Sequence, residues 1–154
     1  METIRQISGA AGKIDVQLEN GRFKSAGCYA RLYLLSDGRP NILQITSYPD
    51  ATAERFPSVF IRAQVAQSSP GALATRRVEA QQVYVQAAAE GPIWKSPDGQ
   101  TVLLSITNID GNQIEATLTG VLIDVVSGES TSLSAKLVGE FEQPRATDAV
   151  PEVL

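Results

Sequence analysis

Over residues 101–141 the chain alternates apolar and polar residues in three runs, and a period of two leaves few folds open. Val102, Leu104 and Ile106 alternate with Leu103, Ser105 and Thr107. Ile114, Ala116 and Leu118 alternate with Glu115, Thr117 and Thr119. Leu133, Ala135, Leu137 and Phe141 alternate with Ser134, Lys136, Val138 and Glu140. Successive side chains of a strand point to opposite faces, so each run has one dry and one wet side. The links, residues 108–112 and 127–129, carry Asp110-Gly111 and Ser127-Gly128. Glycine accepts the positive φ that tight hairpins need, so the pattern predicts an antiparallel meander.

The same texture runs upstream. Residues 13–18 alternate Ile14, Val16 and Leu18 with Asp15 and Gln17, and Asn20-Gly21 turns the chain back. Residues 28–35 put Cys28, Ala30, Leu32 and Leu34 on one face and Tyr29, Arg31, Tyr33 and Leu35 on the other. Strands are expected over 41–47 and 59–66. Residues 48–58 hold two prolines and read as a crossover loop or a single helical turn; residues 67–75 read as loop. Over 76–89 the signals compete. Glu79, Ala80, Gln81, Gln82 and the alanines at 87–89 favour helix, while Val78, Val83, Tyr84 and Val85 favour strand. The period shifts at Gln81-Gln82 as a bulge would shift it, which predicts two strand pieces with a kink. Trp94 falls on a short strand or in a loop. Residues 121–126 are apolar on both faces apart from Asp124, the pattern of a strand covered on two sides or of a bulge at Gly120. The expected fold is all-β, an antiparallel β-sandwich or jelly-roll-like barrel of about eight to ten strands with little helix. Residues 1–141 form the domain, and residues 142–154, with two prolines and no period, form a tail.

Several kinds of chemistry are disfavoured. The chain has no histidine, the commonest general base and metal ligand. Cys28 stands alone in an apolar strand and reads as a small buried thiol. Asp37, Asp50, Asp98 and Asp110 each sit in a separate loop, whereas calcium needs six to eight oxygens from closely spaced groups; turn chemistry accounts for each of them. No metal or other cofactor is expected. Glu79, Glu90, Glu115 and Asp124 are the carboxylates available for a glycoside-hydrolase pair, and Asp124, inside its apolar run, reads as a strand end or a paired structural charge. The net charge is -4, and only Arg76 and Arg77 are adjacent basic residues, which argues against nucleic acid or an anionic membrane as partner. No apolar run is long enough to span a membrane. The first residues lack a charged-then-apolar leader, which favours the cytoplasm and leaves a secreted mature form open.

Two surfaces are candidates for binding. Tyr29, Arg31 and Tyr33 share a strand face that Tyr84 and Trp94 could join as a carbohydrate-binding platform; core packing is the competing role for those aromatics. Val150, Val153 and Leu154 are the tail's apolar anchors. The expected function is a non-catalytic structural or interaction module that self-assembles or docks into a larger complex through strand edges and the tail. A carbohydrate-binding β-sandwich module is the alternative, and a carboxylate-based hydrolase is third.

Overall fold

The computed structural model of the chain describes residues 12–19, 21–25, 27–35, 38–48 and 55–142. Among them ten strands form: β1 (Lys13–Leu18), β2 (Gly21–Ser25), β3 (Tyr29–Tyr33), β4 (Asn41–Thr46), β5 (Ser58–Val65), β6 (Arg77–Gln86), β7 (Trp94–Lys95), β8 (Val102–Asp110), β9 (Gln113–Asp124) and β10 (Ser130–Phe141). The all-β expectation holds. Strands β3, β4, β5, β6, β8, β9 and β10 pair in that order and β10 returns to β3, which closes a seven-stranded barrel. Two meanders, β3 to β6 and β8 to β10, supply the wall.

Seven is odd, so a barrel of alternating strands must close on one parallel pair. That pair is β10–β3, and it covers only Glu140↔Tyr29 and Phe141↔Ala30. The rest of that edge of β10 belongs to β1, which pairs from Lys13↔Val138 to Leu18↔Leu133 and carries β2 on its far side. Two-residue β7 fills the wedge where β6 and β9 part, pairing Trp94 with both Val85 and Asp124.

The inward residues form cross-strand rows. Leu104, Leu118, Ala135 and Val16 make one row, and Ala30, Ile45, Ile61 and Val83 make another. All eight are buried, and each large aliphatic contributes roughly 1.5–3 kcal/mol by leaving water. A 3-10 turn at Pro70–Leu73, within the segment expected to be loop, adds Leu73 to the same core.

Over 76–89 the strand reading holds and the helix does not form. β6 is one strand whose kink is a bulge: Arg62 faces Gln82 and Ala63 faces Ala80, which leaves Gln81 unmatched. The Gln81 side chain instead accepts a hydrogen bond from the Gln64 amide at 3.0 Å.

Other local expectations need correction. The segment expected to cross over between β4 and β5 joins strands that are antiparallel neighbours. No bulge occurs at Gly120, because the β9–β10 register runs unbroken from Gln113 to Ile123. Glycine instead gives Val102 room: a Cβ at this position would lie 3.0 Å from the Val102 side chain, which would have to shift to admit it. Nor is residues 121–126 covered on both sides, since Val121 faces out and is exposed. Leu34, which alternation places on the face of buried Cys28 and Ala30, is 59% exposed because β3 ends at Tyr33. The anchors Val150, Val153 and Leu154 lie outside the described residues.

Candidate functional site

The outer wall of β3–β6 gathers most of the expected binding face. Register places Tyr29, Thr46, Phe60 and Tyr84 in one row and Arg31, Gln44, Arg62 and Gln82 in the next, with Tyr33, Ile42 and Gln64 beyond. Tyr29, Arg31, Tyr33 and Tyr84 therefore share one surface. Trp94 does not join them. It stands opposite Val85, an inward position, and is buried in the core, while its neighbour Lys95 pairs with outward-facing Tyr84.

Access divides this wall. Arg31 is 1% exposed, and Tyr33, Gln44 and Thr46 are buried beside it. A charge this deep needs a counter-charge, and the Arg31 guanidinium donates to the Glu142 carboxylate at 2.9 Å. The accessible part is the β5–β6 side, where Tyr84 is 43% exposed. The Phe60 and Tyr84 rings lie 6.2 Å apart and tilted by 56°, and the Arg62 guanidinium sits 4.9 Å over Phe60. Arg62 in turn donates to Gln44 Oε1 at 2.8 Å. Burial lowers the Arg62 pKa, with the Tyr33 charge acting the other way; an arginine stays cationic at neutral pH regardless. Phe60 is a member of this set that sequence alone does not single out. Alternation puts it on the face of Arg62 and Gln64, but only the pairing register brings it to Tyr84.

A cleft of about 440 Å³ adjoins Tyr84 where β6 changes partner. β8 holds Arg77 to Ala80, β7 holds Tyr84 and Val85, and the turn over residues 96–101 spans the gap between them. Ser96 replaces the missing ladder: its amide donates to the Val83 carbonyl at 3.0 Å, and its hydroxyl accepts from the Val83 amide at 3.1 Å. Gln82, Tyr84, Lys95, Asp98, Gln100 and Thr101 are among the residues that line it.

Three of the carboxylates, Glu79, Asp98 and Asp124, have local structural partners. Glu79 accepts from the Thr101 hydroxyl at 2.9 Å. Asp124 ends β9, and its side chain accepts from the Val126 amide at 2.8 Å. Asp98 pairs with Lys95 at 3.7 Å, and Asp110 ends β8 at its hairpin turn. Glu90 is exposed and Glu115 half-buried on β9; Asp37 and Asp50 lie outside the described residues. Among the described residues no three His, Cys, Asp or Glu side chains are grouped to hold a metal ion.

Cys28 is buried in the core, and desolvation pushes its thiol up to about 12. The fold therefore favours the protonated thiol over the thiolate. That contribution to stability is intact below the unfolded value of about 8.5 and is lost as pH rises toward the folded value. Unfolding titrations from pH 8 upward are expected to show a steeper loss of stability in the wild type than in Cys28→Ala. Parallel profiles would remove the thiol from the account. In the folded protein Cys28 is also expected to react with thiol reagents only as fast as the chain opens.

No protein-family model, no curated protein and no solved structure matches this chain.

Proposed function

We propose that the protein is a non-catalytic structural module that self-associates through the exposed valines at the end of β9. The carrying observation is the tip of the β9–β10 hairpin, where Val126 is 91% exposed. Turns normally take Gly, Asn, Asp or Pro for their backbone and side-chain geometry. Here Asp124 and Gly128 meet those needs: the Gly128 amide donates to the Asp124 carbonyl at 2.9 Å, and Gly128 takes a φ of 76°. Val125 and Val126 contribute nothing to the turn that smaller polar residues would not, so their apolar surface calls for a partner.

Val121 and Val125 continue the patch on the outward face, and Ile93 joins it through the Val125 amide, which donates to the Ile93 carbonyl at 3.0 Å. The neighbouring positions on β10 are Ser130 and Ser132, too small to cover the valines. The patch residues are uncharged, and Lys95, which flanks them opposite Ile123, carries Asp98 as its counter-charge, so two copies can meet about a two-fold axis without unbalanced like charge. Backbone pairing at a sheet edge fits less well. Among the described residues no strand pairs with the outer edge of β2, which is five residues long and carries exposed Arg22 and Lys24, the kind of charge that discourages edge pairing.

Light scattering across a concentration series is expected to show a dimer or higher oligomer. Val125→Lys with Val126→Lys is expected to weaken association at least tenfold and to melt at the temperature of the wild type diluted to its monomer. A wild type that stays monomeric at every concentration would overturn the proposal.

A further inference from the structure

We infer that the cleft between β6 and the turn at residues 96–101 binds a neutral polysaccharide chain, with Tyr84 as the platform on which a sugar ring stacks. None of Ile93, Val121, Val125 and Val126 lines this cleft, so the two sites can be tested by separate substitutions.

The ring is accessible and held in place. Tyr84 leans on Phe60, Phe60 is covered by Arg62, and Arg62 is fixed by Gln44, so the platform is arranged before any ligand arrives. Tyr84 is 43% exposed, and an accessible aromatic ring is the group on which the flat C–H face of a pyranose stacks. The polar groups beside it match the rest of a sugar. Gln82 and Gln100 each carry a donor and an acceptor, and the Thr101 hydroxyl, which donates to Glu79, keeps its acceptor lone pairs, while a sugar hydroxyl is both donor and acceptor. The charges in the cleft cancel, because Lys95 pairs with Asp98, so nothing there favours an anionic ligand over a neutral one. The volume of about 440 Å³ falls in the range of small-ligand clefts. The cleft is open along the β6 side, where Tyr84 is exposed, which suits a chain passing over the ring better than a single enclosed sugar.

Titration calorimetry with cellohexaose, xylohexaose and mannohexaose as neutral probes, and hexagalacturonate as the anionic one, tests this. At least one neutral probe is expected to bind with a micromolar to millimolar Kd that high salt leaves unchanged. Tyr84→Ala should weaken it at least tenfold and Gln82→Ala severalfold, while Tyr84→Phe, which keeps the ring, retains it. Tyr84 is already well exposed, so its substitution is expected to leave the melting temperature unchanged, and Val125→Lys with Val126→Lys should not alter binding. Failure of all three neutral probes at millimolar concentration, binding of the anionic probe alone, or equal binding by Tyr84→Ala would each overturn the inference.

Discussion

Replacing Leu118 with alanine is expected to destabilise the protein toward the upper end of the roughly 2–5 kcal/mol typical of buried leucine truncations. Leu118 stands at the centre of β9, facing Leu104 on β8 and Ala135 on β10, and is buried. The cost of such a truncation depends on how far the surroundings can collapse into the space. Here they have little to offer. One neighbour in the row is already an alanine, and β9 is hydrogen-bonded to a strand on each side, so the backbone cannot move inward alone. Denaturant titration should show a lowered midpoint with an unchanged slope. Leu34→Ala is the contrasting measurement. Leu34 is 59% exposed, and its truncation should change stability by no more than about 0.5 kcal/mol. Equal effects at the two positions would mean that Leu118 is not in the core or that Leu34 is not outside it.

That contrast also marks where the sequence stops being informative. Within a strand, alternation is a local property, so the three runs of residues 101–141 predict β8, β9 and β10 and which way Leu118 faces. The bulge at Gln81 is local too, since a break in period shows itself without reference to a partner. Leu34 fails because alternation cannot say where a strand ends: β3 stops one residue earlier, at Tyr33. Closure is not local at all. Nothing in the order of strands says that β10 will be shared between β1 and β3, or that a seven-stranded ring will replace two stacked sheets. The candidate binding face divides along the same line. Tyr29, Arg31 and Tyr33 share a face by simple alternation, and β6 brings Tyr84 alongside. Trp94 points inward because β7 pairs residue by residue with β6, setting Trp94 opposite Val85. Phe60 joins the platform through the same register arithmetic. Leu73 enters the core from a 3-10 turn, where no period of two could announce it.

The place where the barrel closes supplies the second large effect. Gly139→Ala is expected to destabilise the fold by about 1–3 kcal/mol, the usual range for overpacking a filled site, and Gly139→Val by more. Gly139 lies in β10 just before the two residues that pair with β3. A Cβ there would sit 2.6 Å from the Cys28 Sγ and 2.9 Å from the Cys28 carbonyl oxygen. Neither obstacle can retreat easily. The thiol is buried in the core, and the carbonyl accepts the Glu140 amide at 3.1 Å, one of the few bonds that join β10 to the chain entering β3. Backing away from the new methyl would therefore loosen the seam itself. The two obstacles can be separated by a double-mutant cycle, because Cys28→Ala removes the sulfur and keeps the carbonyl. The pair Gly139→Ala with Cys28→Ala should recover part of the lost stability, with the remainder reporting the clash against the backbone. Gly21→Ala is the control: a Cβ there meets nothing within 4 Å, and the change should fall within about 0.5 kcal/mol. If Gly139→Ala unfolded at the wild-type denaturant midpoint, β10 and the residues leading into β3 could not lie as close as closure of the barrel demands.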